Sequence, residues 1–254
     1  MKIATWNVNG IRAREAQFCA WVARDRPDVV CLQELKAQPE QIPDSCRHTD
    51  YPVYWHGMRA YSGVSLHVDK GLHAAEPRFS HPAFDMETRI IEVSLGDFVV
   101  ASVYVPNGRE LGHPHYDYKL RWLDALRATA AAELPHHQRF AVLGDFNIAP
   151  NDDDVWDITA FANSTHVSAP ERAALANLRA VGLTDVRPRA LKYDTPFTYW
   201  DYRQLCFPKN RGMRIDLVYA SATFAADVAD AYVDREARKG ANPSDHAPIV
   251  VDLR

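Results

Sequence analysis

The sequence predicts an α/β sandwich, and three observations lead there. Short apolar runs bounded by turn residues recur along the chain and read as buried strands: Lys2-Ile3-Ala4-Thr5, Val29-Val30-Cys31-Leu32, Phe140-Ala141-Val142-Leu143 and Ala247-Pro248-Ile249-Val250-Val251. Segments with apolar residues at helical spacing lie between them. Gly96-Asp97 divides Arg89 to Val105 into two strands, a two-residue hairpin signal.

The helices follow in order. Ile11 to Asp25 buries Phe18, Trp21 and Val22 and ends before Pro27. Tyr116 to Leu134 carries Tyr116, Leu120, Leu123, Leu126, Ala130 and Leu134 on one face until Pro135 stops it. Ser168-Ala169-Pro170-Glu171 is a capping-box start for a third helix. Leu175, Leu178 and Val181 form its apolar face, and Gly182 closes it. No linker, low-complexity tract or short repeat interrupts the pattern, so residues 1–254 are expected to form one domain.

Composition narrows the class. With 47% hydrophobic and 24% charged residues over 254 positions, the chain suits a soluble protein with a substantial core. It has no apolar stretch near the roughly 20 residues of a membrane helix and no signal-like N-terminus. Cys19, Cys31, Cys46 and Cys206 form no C-x-x-C pair, which fits a reduced, cytoplasmic compartment. The net charge of −4 argues at first against a polyanionic partner. Carboxylates that hold a divalent cation would reverse that argument locally. Basic clusters at Arg187, Arg189 and Lys192, at Lys209, Arg211 and Arg214, and at Arg235, Arg238 and Lys239 lend modest support to an anionic partner.

Polar islands sit at the ends of the apolar runs. They are Trp6-Asn7-Val8-Asn9-Gly10, Gln33-Glu34, Gly144-Asp145-Phe146-Asn147 and Ser244-Asp245-His246. Side chains placed repeatedly at strand ends converge on one sheet edge, where a divalent metal and a phosphate need oxygen and nitrogen groups together. Glu34 ends a buried strand, and a carboxylate there requires a cation, whether a metal or the ammonium of Lys36. Asn7 reads as an oxygen ligand or an orienting amide, whereas Asn9 reads equally as a turn residue before Gly10. Asp145 and Asn147 fall on one side of the chain, so one can accept a proton from water while the other donates to phosphate. His246 beside Asp245 suits charge stabilisation or proton handling, and Asp216 at a strand start could hold its imidazole. Tyr104, before Val105-Pro106-Asn107-Gly108, could donate to a non-bridging phosphate oxygen or simply pack in the strand.

This ordered set resembles the exonuclease III family of Mg²⁺-dependent DNA-repair nucleases, within the endonuclease/exonuclease/phosphatase superfamily that includes deoxyribonuclease I. The islands W-N-V-N-G, L-Q-E-L-K, Y-V-P-N-G, G-D-F-N-I-A, G-M-R-I-D and S-D-H-A-P cover essentially the whole chain. Lys36, Pro170-Glu171-Arg172 and Thr198-Tyr199-Trp200-Asp201-Tyr202-Arg203 point to the exonuclease III branch. The resemblance implies a four-layer α/β sandwich with two central, mostly antiparallel sheets. It implies Mg²⁺, with Mn²⁺ as a substitute, on Glu34 with Asn7, Asp145, Asn147, Asp245 and His246 near the metal. Asp145 would activate the attacking water, Asn147 bind the phosphate, His246 with Asp216 contact it, and Tyr104 position it or assist the leaving group.

The same resemblance implies a monomer acting on double-stranded DNA with abasic sites or blocked 3′ ends. Tyr199, Trp200 and Met213 would form an apolar pocket for a flipped-out abasic sugar, with Trp200 and Met213 the stronger wall residues. Asn107, Arg109, His166 and Arg214 join them as expected DNA contacts. His166 stands where some relatives look smaller, and its bulk is expected to favour trimming of 3′ ends over internal cleavage. Asp152-Asp153-Asp154 reads as a solvated loop, and His113, His115, His136 and His137 lack a metal-ligand spacing. Two rivals remain. A phosphatase or phospholipase would share Glu34, Asp145, Asn147 and His246 without needing Trp200 or Met213. A silent DNA-binding module would carry a damaged island, and none is damaged.

Overall fold

The computed structural model describes residues 1–47, 53–56, 62–72 and 88–254. The strands are β1 (Lys2–Asn7), β2 (Val29–Gln33), β3 (Val53–His56), β4 (Val64–Val68), β5 (Ile90–Leu95), β6 (Phe98–Tyr104), β7 (Arg139–Asp145), β8 (Leu183–Asp185), β9 (Arg189–Ala190), β10 (Asp216–Ser221), β11 (Val228–Val233) and β12 (Ile249–Leu253). The α-helices are α1 (Glu15–Asp25), α2 (Pro114–Glu133), α3 (Ala169–Ala180) and α4 (Ala222–Asp227). One sheet runs β3-β4-β2-β1-β12-β11-β9 and the other β5-β6-β7-β10-β8. Among the described residues, β1–β2, β6–β7 and β9–β11 pair in parallel and the other pairings are antiparallel, as expected.

Three apolar clusters define four layers. Val29 and Cys31 of β2, Val100 of β6, Leu143 of β7 and Val218 of β10 meet between the two sheets. Their strand neighbours Val30 and Leu32 point outward and pack under Phe18, Trp21 and Val22 of α1. On the other flank Ala101, Val103, Val142 and Tyr219 pack under Trp122, Leu123 and Leu126 of α2 and Leu175 and Leu178 of α3. Both faces of the central strands are buried, so most successive side chains are apolar, and polar exceptions such as Thr5, Gln33 and Ser102 bond one another. That is why these segments read as unbroken Val/Ile/Leu runs instead of alternating. Each fully buried side chain of that size contributes about 1.5–3 kcal/mol.

The three expected helices are present, with α2 starting at Pro114 instead of Tyr116, and α4 is an addition to the sequence expectation. Ile11–Arg14 winds as a 3₁₀ turn, and the α-helix proper starts at Glu15. The capping box of α3 is present: the Ser168 hydroxyl accepts from the Glu171 N–H, and the Glu171 carboxylate accepts from the Ser168 N–H. Gly144 fulfils a packing requirement. A Cβ there would lie 1.8 Å from the carbonyl oxygen of Val103, so only glycine lets β7 run against β6 and bring Asp145 to the edge.

Candidate active site

Register aligns the residues of the smaller sheet. Tyr104 pairs with Asp145 across β6 and β7, and Asp145 pairs with Asp216 across β7 and β10. The larger sheet meets that row with Asn7 at the end of β1, Glu34 just after β2, and His246 just before β12. Glu34 (φ 53°) and Asn147 (φ 52°) both turn sharply out of their strands, which directs their side chains into the shared edge.

The contacts form one continuous network. Nδ2 of Asn7 donates to Glu34 Oε1 at 3.2 Å and to Asp145 Oδ2 at 2.9 Å, joining the two sheets. Tyr104 Oη donates to Glu34 Oε1 at 2.7 Å, and Lys36 Nζ lies 2.7 Å from Glu34 Oε2. Asn147 donates its backbone N–H to Asp145 Oδ1 at 2.8 Å and its Nδ2 to the Val105 carbonyl at 3.0 Å. Nδ1 of His246 lies 2.8 Å from Asp216 Oδ2, while its Nε2 faces Asp145 Oδ2 at 3.9 Å. Asp245 accepts from Asn9 Nδ2 at 2.9 Å, and Lys36 donates to Asn9 Oδ1 at 2.6 Å. Asn9 therefore carries a contact network of its own, and the Lys36 partner of Glu34 is present alongside its site neighbours.

Electrostatics divides the roles. Burial pushes the Asp145 carboxyl up to about 7; the Asp216 and Glu34 carboxylates add to the rise, and His246 opposes it. Burial works against a charged His246, yet the Asp216 carboxylate, helped by Asp145 and Asp245, raises it to about 10. A carboxylate able to take a proton near neutrality thus faces an imidazolium. Glu34 would rise on burial, but Lys36 and the Tyr104 hydroxyl hold it below its ordinary value. Burial and the neighbouring carboxylates push Tyr104 well above the ordinary phenol value, so it stays a donor.

The donor set fits a hard divalent cation: carboxylates, amides and one imidazole. Asp145, Asp216 and His246 present ligand atoms within 4.8 Å of one another. Oδ1 of Asp216 is buried with no hydrogen-bond partner, which is a cost unless something else satisfies it. Asn7 turns its amide nitrogen toward the carboxylates, and its oxygen accepts from the Asn9 N–H at 2.9 Å. In this arrangement it orients.

The expected DNA contacts separate. Asn107 and Arg109 are exposed, and His166 is half-buried, its Nε2 3.3 Å from Asn147 Oδ1 and 3.2 Å from Asn107 Nδ2. Tyr199 is half-buried with its ring 4.9 Å from the His246 imidazole. Met213 packs beside it with Val155 and Ile215. Trp200 is a correction: at 1% exposure it stacks edge-on against Phe207 behind the pocket, so the weaker wall candidate, Tyr199, is the one that faces the site. Arg214 is a second correction. It is fully buried and bonded to Asp154 and Asp185, so it offers nothing to DNA. Asp154 is a third, buried under Arg214 and Arg187 while Asp152 and Asp153 are exposed. Within the basic clusters Arg189 pairs with Asp230, and Arg235 and Arg238 are buried against Phe207.

Sequence reasoning assigned no role to three supporting groups. Thr198 Oγ1 accepts the N–H groups of Ile215 and Asp216 and so fixes the start of β10. Ser244 Oγ donates to the Asn7 carbonyl at 2.7 Å and accepts the His246 N–H, tying the islands of β1 and β12. Lys119 is fully buried in an ion pair with Glu171. Its signal was present: it occupies the buried stripe of α2 between Tyr116 and Leu123.

Two stacked sheets that share an edge of carboxylates, amides and an imidazole–carboxylate couple define a hydrolase of phosphate esters. The chain belongs to the Endonuclease/Exonuclease/phosphatase family, whose model matches residues 4–246. It is 30% identical to the exodeoxyribonuclease III of Haemophilus influenzae over 278 residues, covering 100% of each chain. The 3′ phosphatase NExo from Neisseria, solved with a product DNA hairpin, superposes with a TM-score of 0.94 at 34% identity, over 100% of this chain and 99% of that one. An AP endonuclease from Archaeoglobus fulgidus gives a TM-score of 0.92 at 28% identity, with coverage of 100% and 99%.

Proposed function

We propose that this protein is a divalent-metal-dependent DNA-repair phosphodiesterase of the exonuclease III type. It hydrolyses duplex DNA at abasic sites and at 3′ ends, with Mg²⁺ as the metal and Mn²⁺ as a substitute. It works as a monomer of one domain in the reducing cytoplasm, and the four free cysteines support the reducing compartment. The observation that carries the reading is the setting of Asp145: a buried carboxyl that accepts from Asn7 and Asn147 and faces His246 at the shared edge of the two sheets.

Asp145 takes the proton of the attacking water. Asn147 and Asn107 hold the phosphate oxygens, and Asp216 keeps Nδ1 of His246 engaged so that Nε2 points toward the phosphate. Tyr104 donates to a phosphate or leaving oxygen once Glu34 is engaged elsewhere. Glu34, Asp145 and Asp245 would hold the metal, with Asn7 orienting the carboxylates and Asn147 and His246 beside it, and the metal would supply charge neutralisation when bound. Tyr199 and Met213 line the sugar pocket, with Trp200 supporting it from behind. Asn107, Arg109 and His166 meet the DNA.

The test is incubation with duplex DNA that carries a stable abasic analogue, in Mg²⁺ or in EDTA. Incision 5′ to the analogue or 3′ degradation in Mg²⁺ alone is expected. Hydrolysis confined to a soluble phosphate ester would assign the chain to a phosphatase or phospholipase instead.

A further inference from the structure

We propose that the buried Lys119–Glu171 ion pair is the positioning element that sets Asn107, Asn147 and His166 against the scissile phosphate. The proposal rests on the phosphodiesterase reading above, since it concerns the same phosphate-binding side chains.

Three separate loops must meet at one point. Asn107 lies in the turn after β6, Asn147 in the turn after β7, and His166 in the turn before α3. Each turn contains a non-glycine residue in the left-handed region: Arg109 at φ 62°, Asn147 at 52° and His166 at 78°. Such backbone is costly and persists only where its surroundings enforce it.

The enforcement comes from one pair of charges. Lys119 Nζ donates to the Asn107 carbonyl at 3.1 Å, to the Asn147 carbonyl at 2.8 Å and to Glu171 Oε1. The same Glu171 oxygen accepts the His166 N–H at 3.0 Å and the Thr165 hydroxyl at 2.8 Å. Its other oxygen accepts from the Ser168 hydroxyl and N–H. On the outer side of this hub Asn107 Nδ2 donates to Asn147 Oδ1 at 3.1 Å, and His166 Nε2 stands 3.3 Å from that same oxygen. Every backbone that carries one of the three side chains is therefore bonded to Lys119 or Glu171.

Stability alone is a poor reason for such a pair. Both side chains are completely buried, and replacing a buried ion pair with apolar groups of similar volume is often neutral or stabilising. What apolar groups could not provide is six directed hydrogen bonds to three loops. Lys119 and Glu171 touch no substrate, so they act through Asn107, Asn147 and His166.

The experiment compares wild type with the double variant Lys119→Met/Glu171→Gln, which removes both charges at similar volume, and with Thr165→Val, which keeps both charges and removes one link. Rates on the abasic duplex are read with amide exchange of residues 105–109, 145–149 and 163–168. The double variant is expected to lose about tenfold to a hundredfold in kcat at nearly unchanged KM, with faster exchange confined to those loops. Thr165→Val is expected to show a smaller fall of the same kind, and it decides the matter should the double variant not fold. An unchanged kcat in folded protein, or a fall that only follows the folded fraction, overturns the proposal. Wild type inactive on every DNA substrate, with loop exchange still accelerated in the variants, would instead defeat the phosphodiesterase reading.

Discussion

Replacing Asp154 by Ala should destabilise the protein far more than a surface acid would. Its Oδ1 accepts from Arg214 Nε at 2.8 Å and Arg187 Nη1 at 2.7 Å, and its Oδ2 accepts from Arg214 Nη2 at 3.2 Å and the Asn151 N–H at 3.0 Å. Without it the buried Arg214 guanidinium keeps only Asp185, at 3.1 and 2.9 Å. Breaking a buried pair costs about 3–5 kcal/mol, and the surviving Asp185 contact puts this case near 3. For a chain of this size that is a drop in Tm of about 6–12 °C. Acid should erase the difference. Burial would raise the Asp154 carboxyl, but Arg214 and Arg187 outweigh it and hold it below its ordinary value. A carboxyl lowered in the folded state stabilises fully above its unfolded value of about 4 and loses that contribution as pH falls through the folded one. The wild-type advantage is therefore present at neutral pH and shrinks in strong acid. Thermal melts followed by circular dichroism at both conditions measure it. A fall of less than about 2 °C at neutral pH, or a gap that widens in acid, would refute the reasoning.

Asp145→Asn should lower kcat by roughly a thousandfold or more while Tm holds or rises, because the buried carboxyl is expensive to keep and its loss removes both the proton acceptor and a metal-holding oxygen; steady-state kinetics beside a melt checks both. Asp216→Asn leaves a side chain that can still accept from Nδ1 of His246 but removes the charge that favours imidazolium, so kcat should fall about a hundredfold. An unchanged rate would mean that His246 works uncharged. His166→Gly places the one residue without a Cβ at φ 78° and clears the space beside Asn147 and Asn107. Incision at internal abasic sites should rise relative to release of 3′-terminal groups, measured as a ratio on two labelled duplexes; an unmoved ratio removes His166 from specificity.

Much of the fold was legible because the forces that shape it are local or periodic. Gly96-Asp97 makes the hairpin, Ser168 and Glu171 cap α3, and the double-sided burial of β2 and β7 leaves unbroken apolar runs. The islands were legible for a related reason, since a carboxylate directly behind such a run has little other justification. Orientation around single residues was not. Tyr199 and Trp200 are adjacent aromatics, and the antiparallel bridge of Tyr199 to both Met213 and His246 turns one to the site and the other to the core. Asp152, Asp153 and Asp154 look equivalent along the chain until Arg214 arrives from sixty residues away.

The amino-acid sequence by itself determined the layers and which residue types gather at the edge, because strand period and burial act over a few residues. Tertiary structure alone decided which charges are spent and which remain available. Arg214 and Arg187 look like free cations in sequence, but each is neutralised by a carboxylate that only the packing of distant segments brings within bonding distance. Electrostatic pairing depends on distance in space, and no local rule of the chain reports it.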